Sequence, residues 1–217
     1  NMSDRDFSTY EDYDELKGWD SFFKPSFREA QLFAKEFRKI ELTNKYFIDI
    51  GFGSGALVGW AMEQRAIVAG VEVQEKLLKA AQNCGVKAFS SLNEAPSNTY
   101  DVVTAFDVME HVPLDEIPVF LNEIYRVAKS NATVMFRFPN CQSPAGLICQ
   151  FGDHTHVSML SGPFVAYMLK KAGFVNIAYN GAQIIKSRTW ANRFARVLLT
   201  PVIFIFEFLF RLAFFNR

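Results

Sequence analysis

The amino-acid sequence predicts an α/β fold, a mostly parallel sheet with helices on both faces. Three observations carry that prediction. Short apolar runs alternate with helical stretches from Tyr46 onward. A glycine-rich turn, Asp49-Ile50-Gly51-Phe52-Gly53-Ser54-Gly55, follows the first run. A carboxylate, Glu72, stands at the end of the second. Strands joined by crossover helices, with a glycine turn after the first strand, are the pattern of a parallel sheet buried on both faces.

Taken in order, residues 25–39 space Phe27, Ala30, Phe33, Ala34 and Phe37 at steps of three and four, which predicts an amphipathic helix ahead of the sheet. Apolar runs at 46–50, 66–73, 86–89, 101–106 and 132–138 predict five strands, and 75–83 and 117–128 predict helices between them. After Pro139 the pattern lapses into a predicted loop holding Gly146, Gly152 and the run Asp153-His154-Thr155-His156. A helix over 162–172 stops at Gly173, which tolerates the left-handed backbone of a helix end. Residues 174–179 and 183–186 are read as a closing antiparallel pair. The resulting division is an N-terminal helical cap (1–44), a nucleotide-binding domain (45–187) and an apolar helical appendage (188–217).

A chain of 217 residues suits one well-buried domain with an appendage. Lys plus Arg and Asp plus Glu both number 23, so no overall positive field exists to neutralise phosphates along a nucleic acid. Cys84, Cys141 and Cys149 form no C-x-x-C pair and read as reduced, cytoplasmic thiols. The acidic N-terminal stretch, without an apolar run, predicts no secretory signal.

The turn's glycines, Gly51, Gly53 and Gly55, allow a tight bend and close approach of backbone to a ligand. Glu72 lies 23 positions beyond Asp49, where a strand-end carboxylate can accept from both hydroxyls of a ribose. Gly51, Gly53 and Ala56 also satisfy the nicotinamide-binding pattern G-x-G-x-x-G/A, so the loop alone leaves a nicotinamide-dependent oxidoreductase open. Asp49 separates the two: it can orient a cationic amino acid group, whereas beside a pyrophosphate it adds like-charge repulsion.

Residues 46–181 resemble the class I S-adenosylmethionine-dependent methyltransferases. Phe47-Ile48-Asp49-Ile50-Gly51-Phe52-Gly53-Ser54-Gly55 is similar to that family's first motif. Residues 100–112, Tyr-Asp-Val-Val-Thr-Ala-Phe-Asp-Val-Met-Glu-His-Val, are similar to the fourth-strand motif of a subgroup related to quinone-biosynthesis and glycan methyltransferases. The resemblance implies a Rossmann-like sheet of seven strands with the last antiparallel, S-adenosylmethionine as donor and S-adenosylhomocysteine as product. It implies Asp49, Gly51, Phe52, Gly53 and Gly55 at the methionine part, Glu72 and Val73 at the ribose, and Phe106 at the back wall. Many relatives carry an Asp after the third strand for adenine; this chain has Ser90 and Ser91, which leaves Ser90 as the candidate there.

All three histidines follow predicted strand ends, His111 after the fourth and His154 and His156 after the fifth. A neutral imidazole can take the proton of an attacking hydroxyl. His156 is the preferred candidate, with Asp153 holding its ring; His111 is a second, and a loop-fixing role remains the alternative for both, above all for His154. A divalent ion on Glu110, His111 and His156 could lower a hydroxyl pKa. Their spacing is not that of a close ligand set, so no metal is assigned.

Thr200-Pro201 reads as an N-cap with proline at the first helical position, opening an apolar helix over 202–215 interrupted by Glu207 and Arg211. The stretch is short for a membrane span. It is read as packing on its own domain, joining two copies, or lying on a membrane with Arg188, Arg193, Arg196 and Arg217 toward anionic headgroups. The expectation is thus a cytoplasmic methyltransferase, peripheral on a membrane's inner face in the third case. It would methylate the oxygen of a small or lipid-linked acceptor, with Tyr10, Tyr13, Trp19, Phe22 and Phe23 as a candidate lid. A nucleotide-binding scaffold without activity is the non-enzymatic alternative.

Overall fold

The computed structural model describes residues 18–19, 21–181 and 190–215, which fall into two units divided after Gly181. The first unit opens with helix α1 (Phe27–Glu36). A reciprocal cap starts it: Ser26 Oγ accepts from Glu29 N–H at 3.3 Å and the Glu29 carboxylate accepts from Ser26 N–H at 2.7 Å. Then follow β1 (Tyr46–Ile50), α2 (Ala56–Glu63), β2 (Ile67–Val71), α3 (Glu75–Asn83), β3 (Lys87–Phe89), β4 (Tyr100–Phe106), α4 (Ile117–Val127), β5 (Ala128–Arg137), α5 (Pro144–Phe151) and α6 (Gly162–Lys171).

Among the described residues the sheet has five strands, all parallel, in the order β3-β2-β1-β4-β5. Hydrophobic clusters cover both faces. On one, Ile117, Leu121 and Ile124 of α4 and Val165 and Leu169 of α6 pack on Ile48, Ile50, Val103 and Ala105. On the other, Phe33 and Phe37 from α1 and its end meet Trp60 of α2 over Phe47 and Val102. Phe47, Ile48 and Val103 are fully buried, which is why β1 and β4 read as continuous apolar runs rather than alternating ones.

The expected seven strands and antiparallel closing strand are corrected. Residues 174–179 form no ladder: Phe174 and Ile177 pack against the core, but Asn176 takes a left-handed φ of 54° and Val175 and Tyr179 are exposed. Residues 183–186 lie outside the described residues. The loop expected after Pro139 contains α5 instead, started by Ser143, whose Oγ accepts from Gly146 N–H at 3.0 Å, with Pro144 at the first turn.

In the second unit, α7 (Trp190–Phe215) runs for 26 residues with Pro201 inside it. Thr200 is therefore not an N-cap. An interior proline removes one backbone hydrogen bond and costs about 3 kcal/mol. Among the described residues no helix is long and apolar enough to cross a membrane. The Glu207–Arg211 pair and the four arginines proposed to meet headgroups concern side chains outside the described ones, as do Tyr10 and Tyr13.

Candidate active site

The strand order reverses direction between β1 and β4, and ligands of open α/β sheets bind beyond the strand ends at such a switch point. Asp49 and Thr104 are register partners there. The Thr104 hydroxyl donates to Asp49 Oδ1 at 2.6 Å, fixing a carboxylate that is 4% exposed. Burial pushes the Asp49 pKa up to about 7, opposed by the Thr104 hydrogen bond and by the positive charge of Arg137. A cationic group arriving beside it would be held strongly in this dry setting.

The glycine turn leaves β1 with Gly51, Gly53 and Gly55 all at positive φ. Glu72, one residue past β2, folds back onto it. Its Oε2 accepts from Gly53 N–H at 3.0 Å, and its Oε1 accepts from Val73 N–H at 2.8 Å and Gln74 N–H at 3.3 Å. Burial raises the Glu72 pKa against these three hydrogen bonds. The carboxylate stands at the predicted ribose position, already oriented by backbone. Phe52 does not face outward: its ring is buried against Gly70 and lies 5.5 Å from the Phe23 ring, so only its backbone belongs to the turn. The Ser90 hydroxyl donates to Glu94 Oε1 at 2.6 Å, which brings a carboxylate to the end of β3. Phe106 sits under the Arg137 guanidinium, 4.5 Å from its ring centre, while Arg137 pairs with Asp107 at 2.6 Å.

Beyond β4 and β5 lies a second cluster. Glu110 and His111 are on a short 3-10 turn, Met109–His111, and His156 follows α5. The His111 and His156 rings meet edge to face with centres 4.7 Å apart. His156 Nδ1 is 3.1 Å from the Gln150 carbonyl, which can only accept, so Nδ1 carries a proton and the neutral ring keeps its lone pair on Nε2. That Nε2 lies 3.8 Å from Glu110 Oε1 and 3.9 Å from Asp153 Oδ2. Asp153 therefore does not hydrogen-bond the ring; Gln150 orients it, and Asp153 Oδ1 accepts from the Thr155 hydroxyl at 2.6 Å. Thr155 in turn meets His111, its Oγ1 3.0 Å from Nδ1. His154 is exposed.

Glu110 is 1% exposed, and neither carboxylate oxygen has a hydrogen-bond partner. Burial pushes its pKa up to about 8, with Asp107 and Asp153 adding to the rise. Ligand atoms of Glu110, His111 and His156 all lie within 4.8 Å of one another, so the fold assembles the metal-capable set that sequence spacing did not support. An orphaned buried carboxylate beside two imidazoles fits a divalent cation. Both backbone amides of Val157 and Ser158 donate to the Glu110 carbonyl, each at 2.9 Å, tying the His156 segment to the Glu110 turn.

Sequence reasoning missed Thr104, Gln150 and Arg137. Thr104 sits inside an apolar strand, and a backbone carbonyl leaves no trace in residue type, so neither gave a signal. An isolated Arg after the apolar stretch of β5 was the one available clue for Arg137.

A crossover sheet with a carboxylate-flanked glycine turn at its switch point defines a Rossmann-like methyltransferase domain. A family model described as a methyltransferase domain matches residues 25–179, and the chain belongs to that family. Among curated relatives, the ubiquinone biosynthesis O-methyltransferase of Pseudomonas entomophila is 30% identical over 132 residues. That match covers 56% of this chain and 56% of that protein. The enzyme of the same name from Hahella chejuensis is 29% identical over 171 residues, 71% of each. Among solved structures, a SAM-dependent methyltransferase from Archaeoglobus fulgidus has a TM-score of 0.62 at 20% identity, covering 89% of this chain and 90% of that one. The 1,6-didemethyltoxoflavin-N1-methyltransferase of Burkholderia thailandensis, with S-adenosylhomocysteine bound, has a TM-score of 0.57 at 16% identity, covering 81% and 77%.

Proposed function

We propose that this chain transfers a methyl group from S-adenosylmethionine to the hydroxyl oxygen of a small amphiphilic acceptor, of the quinone-precursor or lipid-linked kind. The observation that carries the reading is the His156 Nε2 lone pair, flanked by Glu110 and His111 at the strand ends beyond the donor loop. The donor supplies a methyl group already activated on a sulfonium sulfur. Asp49 and Glu72 hold the donor's amino and ribose groups beside the glycine turn. His156 accepts the acceptor's hydroxyl proton at Nε2 as the new O–C bond forms and the S–C bond breaks. Its Nδ1–H bond to Gln150 keeps that lone pair aimed. Alternatively, a divalent ion held by Glu110, His111 and His156 would take up the Nε2 lone pair and lower the pKa of the hydroxyl in place of the base. The relatives named for ubiquinone biosynthesis support the acceptor class.

The division into cap (1–44), donor domain (45–187) and appendage (188–217) belongs to this reading, and the appendage's role is membrane docking. Twelve large apolar side chains between Val197 and Leu212 are exposed along α7. An exposed apolar run whose sequence also carries Arg193, Arg196 and Arg217 suits an anionic lipid surface. The oxygen assignment is tested by incubating the chain with deuteromethyl donor and phenolic or catecholic acceptors, then locating the label by mass spectrometry. Label on nitrogen or carbon, or none, overturns it. Loss of co-sedimentation with anionic liposomes on deleting 199–217 tests the docking role; a change only in molar mass refutes it in favour of dimerisation.

A further inference from the structure

The chain's own N-terminal aromatics lie against the Cβ sides of Gly53 and Gly55 in the glycine turn. A Cβ placed on Gly53, at φ 52°, would stand 2.8 Å from Cη2 of Trp19. One placed on Gly55 would stand 2.5 Å from the Phe23 ring, and one on Gly59 would stand 2.1 Å from the Phe23 carbonyl oxygen. The Phe23 N–H donates to the Ser54 carbonyl at 2.8 Å, pinning this stretch to the turn. Phe22 and Trp19 pack on the cluster of Phe23, Phe52, Val58 and Leu77. The absent side chains at 53, 55 and 59 thus serve a contact within the protein.

The consequence falls on the donor. Gly53, whose Cβ side meets the benzo edge of the Trp19 indole, gives its N–H to Glu72 Oε2. Apolar cover beside a hydrogen bond lowers the local dielectric and makes the bond firmer than one in open water. Glu72 owes its orientation to three backbone N–H groups, of which Gly53 alone belongs to the turn. We infer that Trp19 is a positioning residue for the donor: it packs against Gly53 and, through the Gly53–Glu72 hydrogen bond, holds the carboxylate that receives the ribose. This rests on the donor placement under the proposed function.

The test is calorimetric binding of S-adenosylhomocysteine to the full chain and to Trp19→Ala and Trp19→Phe. Trp19→Ala weakens binding about tenfold, Trp19→Phe restores most of it, and the donor KM rises while kcat at saturating donor and the acceptor KM stay within twofold. With 5-fluorotryptophan incorporated, Trp19, Trp60 and Trp190 give three fluorine resonances. The one absent from Trp19→Phe shifts on saturation with S-adenosylhomocysteine. Wild-type binding that Trp19→Ala leaves unchanged, or a Trp19 resonance indifferent to the ligand, overturns the inference and leaves the donor site standing. Failure of the wild-type chain to bind S-adenosylhomocysteine overturns both.

Discussion

Glu72 and Glu110 are two buried carboxylates treated in opposite ways. Glu72, 7% exposed, accepts three backbone N–H bonds. Glu110, 1% exposed, accepts none at either oxygen. Removing a carboxylate from water is costly, and the chain meets that cost internally on the donor side and leaves it unmet on the acceptor side. The donor half is therefore organised before any ligand arrives. The half proposed for the acceptor holds a buried carboxylate that a proton, a cation or a polar group of the acceptor would satisfy.

Asp49→Asn breaks the donor half most severely. It keeps the shape and the contact with Thr104 but removes the charge, and S-adenosylhomocysteine binding weakens about 100-fold by calorimetry, in line with a lost charge-assisted hydrogen bond in a dry site. On the other half, His156→Ala lowers kcat about 30-fold in a methyl-transfer assay and leaves S-adenosylhomocysteine binding within twofold. That loss is smaller than general-base residues often show, because in-line positioning supplies much of the acceleration.

Acidity sharpens the contrast next. Asp49 holds its proton up to about pH 7, and a carboxyl must ionise before it can pair with the ligand's ammonium. Binding of S-adenosylhomocysteine thus tightens about tenfold from pH 6 to pH 8, and Asp49→Asn flattens that rise. The sign for folding is the reverse. With its native pKa above the ordinary 3.8, Asp49 favours the ligand-free fold most at low pH, and that advantage is lost as pH rises through about 7. Saturating Mg2+ or Mn2+ raises Tm by about 5 °C in the wild type and not in Glu110→Gln, if Glu110 awaits a cation. At the bottom of the scale, His154→Ala leaves both halves unchanged, as its exposed side chain requires.

The donor half was the more legible in sequence for the same reason that it is complete. Strand, glycine turn and the acid after the second strand are local signals, and each lies within a few residues of where the pattern put it: Asp49 in β1, Glu72 one position past β2. The acceptor half is assembled from residues 45 positions apart in the case of His111 and His156, so only packing could reveal that their rings touch. The assignment of Asp153 to the His156 ring followed an i,i+3 spacing; Thr155 takes its Oδ1, and Oδ2 stays 3.9 Å from Nε2. The missed helix α5 had its start written in Ser143-Pro144, but two glycines and a histidine-rich run obscured it. Seven strands were expected from the resemblance, and a single left-handed Asn176 interrupts the stretch meant to begin the closing pair.

The Glu110 carbonyl receives two amides at once, those of Val157 and Ser158. Val157 is 61% exposed, so its surface position suggests rapid exchange of its amide hydrogen for deuterium, yet that hydrogen is locked into a bond spanning two loops. Protection there reports whether both histidine-bearing segments travel as one rigid piece, and its loss would mark the moment at which the acceptor mouth comes apart.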